Sequence, residues 1–463
     1  MDVSVIKTQL IFFLFFSVLI LLQFIFQMPN LFNTLSLFTF LFYLFFLLKN
    51  KKIETCIYFQ LLFAILCAVI PEWLFEIYPV YLAELSEVSY STGGITRQIL
   101  YQFILITTSF LIFSYRFKPI DIEVRKPSKR MLYMMYAFLF VIFAISLYGF
   151  TIYGTAISNQ MFRFEYWSDV VTNPVVKLAH SFYVIASLIL SIIYLWKPRV
   201  AIVGFIFLLL FTIMGGDKFT PFMTYLIWFI AVIYITGRLS KKLLKKIALL
   251  LILFLFMISA LVVYHYSDLL GNTTIPVFEL VLGRIAAQGQ VWWGVDKIVE
   301  ISLYPNAIDD FFKEVSLFFS SADLYDKDSV GMYRVMNLIS TNDRVTKYLF
   351  SGIRFTEGWP GVGLWYFGYV WLALVQVLAG AIYGIWGRYM YKAIRYSDFI
   401  MCILLMKLGQ NITEAFVMGN MYVLFGISTV ICISLIFIYG WASKDFHYNG
   451  NNRRDENVFY NKY

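Results

Sequence analysis

Apolar runs of about 17 to 25 residues, each long enough to cross a ~30 Å hydrocarbon layer as a helix, recur along the chain, and one long polar insert interrupts them. They predict spans near 10–27, 31–48, 53–70, 99–115, 131–150, 175–196, 200–214, 220–236, 247–265, 361–387, 399–417 and 421–441. The first run has no small-residue cleavage site and passes through Pro29 and Asn30 straight into the second, so it reads as a retained span and not as a signal peptide. The expectation is an all-α, polytopic membrane helix bundle of about 12 transmembrane helices, a single integral membrane domain over residues 1–463. Composition agrees: 60% hydrophobic and 14% charged residues with a mean hydropathy of +0.74 are too apolar for a surface wetted by water.

Charge placement orients the bundle. Basic clusters fall in alternate loops, at Lys49, Lys51 and Lys52, at 116–130, at Lys197 and Arg199, at 238–246, at Arg388, Lys392 and Arg395, and in the tail. In all, 24 of the 37 basic residues lie on one side, which the positive-inside rule makes cytoplasmic, with both termini there. The net charge of +9 therefore reports membrane orientation and not nucleic-acid binding. Cys56, Cys67, Cys402 and Cys432 all lie within predicted spans, so no disulfide framework is expected in the outer loops.

Three outer loops are long enough to fold: 71–98, which is acidic, 151–174, with Arg163, Glu165 and Asp169 among aromatics, and 266–360, the main functional loop. The third shows two amphipathic helical stretches, Val277 to Leu303 and Asp309 to Phe319, whose aromatic faces suit burial at the bilayer interface or against the bundle.

Polar groups that are costly where they sit carry the candidate chemistry. Lys407, Gln410, Asn411 and Glu414 share one face of an apolar span, where an unpartnered charge costs ~3 kcal/mol or more; the stripe either lines a hydrated cavity or forms an interhelical network. The turn Gly215-Gly216-Asp217-Lys218-Phe219-Thr220-Pro221 presents Lys218 beside a helix N-terminus, with Asp217 and Thr220 as caps; it is either an anion-holding corner or a solvated turn. In Gly283-Arg284-Ile285-Ala286-Ala287-Gln288-Gly289, a guanidinium lies one helical turn from an amide, suited to phosphate or to snorkelling toward headgroups. In Phe350 to Gly363, Arg354 and Glu357 sit just above the membrane before Gly and Pro residues aim the chain into the bundle; the two either pair with each other or act separately.

The bundle, its one large outer loop, the Gly-x-Lys corner, the loop arginines and the Thr-Glu-Gly-Trp-Pro approach to the following span together resemble O-antigen polymerases of the Wzy type. The resemblance implies a glycosyltransferase of the bacterial inner membrane, active at the periplasmic face. It would polymerise undecaprenyl-diphosphate-linked oligosaccharide repeat units, working among membrane lipids with a chain-length regulator and a flippase as partners and no nucleic acid. Cations would stabilise the departing diphosphate: Arg284, Arg354 and Lys218 first, Arg344 and Arg334 in reserve, with Gln288 beside Arg284. Glu357 is the first candidate for general base, Asp217 the second and His180 the third, the last because related ligases use a histidine. No cofactor is required, and no His/Asp/Glu cluster has metal-ligand spacing. Another polyprenyl-phosphate-dependent glycosyltransferase or an O-antigen ligase is the alternative. A lipid-oligosaccharide flippase ranks behind both, because it favours two similar halves and charged residues within several spans.

Overall fold

The computed structural model describes residues 3–115, 127–159, 161, 163–217, 219–237, 245, 249, 283, 285–317, 330–350 and 354–451. Within them the chain is a bundle of apolar helices with one small hairpin, Tyr81–Leu82 against Glu87–Val88. Among the described residues seven helices are long and apolar enough to cross a membrane: Lys7–Phe26, Pro29–Asn50, Phe59–Ile77, Gly94–Ser114, Lys129–Tyr153, Gly361–Tyr396 and Phe399–Phe416. Pro174–Ser181 and Tyr183–Tyr194, bent by 47° between them, would make an eighth. Pro198–Met214, Pro221–Ile235 and Ile427–Gly440 are shorter apolar helices at predicted span positions, and 247–265, residue 249 apart, lies outside the described residues.

Large apolar side chains cover the outside as well as the core. Phe42, Phe140 and Leu378 stand exposed on helices whose other faces bury Phe40, Leu139 and Ala379. In water such a surface would drive aggregation, and in a bilayer it meets its own kind of solvent. The protein is therefore a multi-pass membrane helix bundle.

Small residues set the central packing. Gly380 and Gly384 place the backbone of Gly361–Tyr396 against Gly94–Ser114 so closely that an added Cβ would lie 2.7 Å from the Leu105 carbonyl oxygen or 2.9 Å from that of Ser109. This is the small-xxx-small contact of membrane helices. Gly384→Leu should force the helices apart and cost roughly 1–3 kcal/mol, read as a lower unfolding temperature of the detergent-solubilised protein; an unchanged temperature would show that the contact is slack.

Two predicted spans are corrected. The run 53–70 is broken at Tyr58 into Lys52–Ile57 and Phe59–Ile77, because the Tyr58 hydroxyl donates to the Tyr383 carbonyl (3.1 Å) while its ring fills the space left by Gly387. The run from 361 is not a straight crossing: Gly368, at φ +67°, reverses the chain inside Gly361–Tyr396. The left-handed conformation there falls to glycine, which has no Cβ to clash.

The long loop is built differently from the expected pair of amphipathic helices. Among the described residues it holds four short helices, Gln290–Asp296, Ile308–Ser316, Gly331–Ile339 and Asn342–Phe350, the second falling on the predicted stretch from Asp309, with irregular chain between the first two; Val277–Leu282 lies outside the described residues. Trp292 and Trp293 are buried against the bundle and not at a lipid interface: their indole N–H groups donate to the Gly94 and Tyr90 carbonyls (2.9 and 3.0 Å). The acidic first loop docks on the same helix, Glu84 accepting from Gln290 and Glu87 pairing with Lys297 (2.5 Å).

Candidate functional site

The segment Arg354–Pro360 dips into the bundle and Gly361–Phe367 climbs back before Gly368 turns the chain down again. The backbone N–H of Trp359 donates to the Val417 carbonyl (3.0 Å), and its indole donates to Gln376 (3.1 Å), eight residues beyond the reversal. At 1.5 Å rise per residue Gln376 lies about 12 Å below Gly368, which sets the depth of the dip.

Glu357 occupies the tip of this re-entrant segment with a left-handed backbone, φ +54°. That conformation costs a non-glycine residue of order 1–3 kcal/mol and persists only where surrounding structure imposes it. Its carboxyl is close enough to Cys67 and Tyr383, on two different helices, to act on both electrostatically. It sits deep among protein atoms yet is only half-buried, so one side borders open space, and among the described residues no donor pairs with it. Burial pushes its pKa up to about 8.

Arg354 does not pair with Glu357. Its guanidinium reaches Glu414 (3.3 Å) and the Tyr422 hydroxyl (3.5 Å), and lies 5.3 Å above the Tyr333 ring. Glu414 also accepts from Asn420 (2.5 Å). Beneath this group is Glu314, fully buried, whose carboxylate accepts from the Tyr366 hydroxyl (2.5 Å) and the Tyr422 backbone N–H (3.1 Å). Burial raises Glu314 to about 7, against the pull of these donors. Glu314 thus ties the loop helix Ile308–Ser316 to the residue whose hydroxyl meets Arg354. Glu314, Tyr333 and Tyr422 were not singled out from the sequence, where Glu314 is one of three acids in an amphipathic helix.

The polar stripe divides its work. Glu414 belongs to the Arg354 group, whereas Asn411 donates to Ser428 (3.2 Å) and Thr429 (2.8 Å) on the next helix, an interhelical bond. Lys407 and Gln410 are half-buried, and Lys407 lies near Cys432.

A second constellation forms around Asp217. Its buried side chain holds His180 Nε2 at 2.7 Å and Arg163 Nε at 2.7 Å. Two candidates 37 residues apart in sequence thereby meet, and Arg163 from the loop 151–174 joins them. Trp167 stacks on the His180 ring at 4.1 Å, its indole donating to the Gly215 carbonyl (3.0 Å), which fixes the imidazole plane. Lys218 lies outside the described residues.

Arg284 also lies outside them; Gln288 is half-buried in the turn before Gln290–Asp296. Arg334 pairs with Asp310 (3.1 Å) and Arg344 donates to Ser86 (3.2 Å), both on the loop helices. A further ion pair that the sequence did not flag joins Arg97 to Asp296 and anchors Gln290–Asp296 on the bundle.

Comparison with known proteins adds one match. Residues 325–433, which contain Arg354, Glu357, Glu414 and the reversal at Gly368, match the model of a family of unknown function (DUF6418). No curated protein and no solved structure matches the chain. The matched stretch coincides with the re-entrant site and leaves out the Asp217 constellation.

Proposed function

We propose that this chain is a metal-independent glycosyltransferase that polymerises undecaprenyl-diphosphate-linked oligosaccharide repeat units, of O-antigen or a similar surface polysaccharide, at the periplasmic face of the bacterial inner membrane. The observation that carries the reading is Glu357: a half-buried carboxyl with no paired donor among the described residues, raised to about 8, held in a strained backbone at the tip of a re-entrant segment, three residues from a guanidinium. A general base needs a pKa near the working pH and an open approach, and it must not be neutralised by its own clamp.

In this reading the attacking sugar hydroxyl gives its proton to Glu357 as its oxygen bonds to the anomeric carbon of the growing glycan. The bond from that carbon to the lipid diphosphate breaks, and the diphosphate leaves with the electron pair. Arg354, preorganised by Glu414, Tyr422 and Tyr333, stabilises the charge that develops there. Base and clamp must be separated by the reacting sugar. Three residues of chain span at most about 10 Å, which leaves room for one ring.

In this reading the seven long helices, the bent pair, the three shorter ones and the apolar run 247–265 would be the twelve spans. Arg388, which caps the carbonyls of Phe113 and Tyr115, and Arg395, which reaches the Ile235 carbonyl, lie 20 and 27 residues beyond the reversal at Gly368, and in this reading that basic end and both termini are cytoplasmic.

A second reading rests on His180 and Asp217, whose 2.7 Å contact suits activation of an acceptor hydroxyl, as in a ligase. Glycan chain length in a deletion strain separates the possibilities. Single repeat units on the lipid core, with long chains restored by the wild-type gene, are expected of a polymerase. Loss of all core-linked glycan would point to a ligase, and retention of lipid-linked units on the cytoplasmic side to a flippase.

A further inference from the structure

A cavity of about 540 Å³, lined by no residue of the Glu357 site, opens between Pro29–Asn50, Lys52–Ile57 and the end of Phe219–Ile235. Lys49, Asn50, Lys52, Glu54, Tyr234 and Ile235 line it. The one acid is already engaged: Glu54 accepts from Ser114 (2.9 Å) and lies 3.6 Å from Lys51, which is not among the lining residues. Asn50 is turned back onto the Phe46 carbonyl (2.9 Å). Lys49 and Lys52 are exposed, and among the described residues neither ammonium has an ion-pair partner. The cavity is therefore cationic, with two ammonium groups at its rim.

What covers it follows from the helix that carries Lys49. Phe38, Phe42 and Phe45 precede it at the i, i+4 and i+7 positions of one face, with Lys49 at i+11, and the three rings are 62%, 64% and 61% exposed. An apolar stripe open to the hydrocarbon thus runs straight to a lysine beside a polar hollow. A soluble anion would use the hollow and leave the stripe idle. A phospholipid would use both.

We infer that this cavity binds an anionic phospholipid, its phosphate between Lys49 and Lys52 and an acyl chain along Phe45, Phe42 and Phe38. The site shares no lining residue with the proposed reaction centre, and it stands whether or not that reaction is the right one. Basic pockets between helix ends recognise anionic headgroups in this way.

Native mass spectrometry of the full-length protein in an uncharged detergent, mixed with phosphatidylglycerol or with phosphatidylcholine, tests it. Two lysines near an anionic headgroup correspond to roughly 25-fold in binding, so phosphatidylglycerol should be retained with a preference of at least about tenfold. The Lys49→Gln/Lys52→Gln double variant should lose that preference, whereas Arg199→Gln, an exposed charge at another helix start, should keep it. Because the lysines are exposed and unpaired among the described residues, the double variant should unfold at the wild-type temperature. Retention of the preference in the double variant would overturn the inference. So would inorganic phosphate, at about 10 mM, displacing the lipid from the wild type, since the hollow would then be a soluble-anion site.

Discussion

Exchanging Glu357 for glutamine should cut glycan extension by a factor on the order of 10² to 10⁴, the range that a positioned general base contributes, while the protein remains in the membrane at wild-type level. Glutamine keeps the shape of the side chain and removes only its capacity to take a proton. The pH dependence sharpens the test. With the carboxyl raised to about 8, the reactive carboxylate is the minor form at neutral pH, and its population grows as pH rises through that value. The extension rate of membranes supplied with lipid-linked repeat units should therefore climb to a plateau above about pH 8, and the climb should vanish in Glu357→Gln. A rate that falls through the same window would make Glu357 an acid in the reaction and not a base. Stability runs the other way: a carboxyl held neutral by burial supports folding below its unfolded pKa and progressively less as pH rises through 8, so the glutamine variant should be the less pH-sensitive protein.

Arg354→Ala should reduce extension by about 10² to 10³, the loss seen when one preorganised donor to a developing anion is removed. A merely structural role predicts a different pattern. The guanidinium also satisfies Glu414 and the Tyr422 hydroxyl, but Glu414 keeps its bond from Asn420 and is 41% exposed, so water can replace the lost partner. Fold and membrane level should survive. Arg354→Lys retains the charge but not the planar fork that meets two oxygens, and should restore extension only in part. Surface glycan collapsed to single repeat units in Arg354→Ala, with partial recovery in Arg354→Lys, is the expected result; long polymer in both variants would remove Arg354 from the reaction.

Much of this site was visible as chemistry before it was visible as geometry. Arg354 and Glu357 drew notice because charged residues are expensive beside a membrane and because Gly-Trp-Pro breaks the chain after them. Their relation was misleading in one dimension, since two opposite charges three residues apart look like a pair. The fold gives the arginine to Glu414, 60 residues away, and among the described residues gives the acid no donor. Asp217 and His180 were separate candidates because a turn and a helix end carry no signal of mutual approach, and only the packing of the loop 151–174 over Gly215 and Gly216 brings Arg163 and Trp167 to them. The stripe from Lys407 to Glu414 was a correct face but not a single environment: Asn411 bonds a helix and Glu414 bonds a loop.

The sequence by itself determined the solvent. Sixty per cent hydrophobic residues in long runs oblige helices whose backbone groups are satisfied internally, whatever their arrangement. It also determined where charge is scarce and therefore consequential. Only the tertiary structure decided direction. Hydropathy measures how much a stretch prefers oil and does not register that Gly368 turns an unbroken apolar run back on itself, or that Tyr58 breaks another to reach Tyr383. Glu357 is enclosed by helices that carry Cys67 and Tyr383, far apart in the chain, and Arg354 finds a partner 60 residues away; a local pattern holds no record of either.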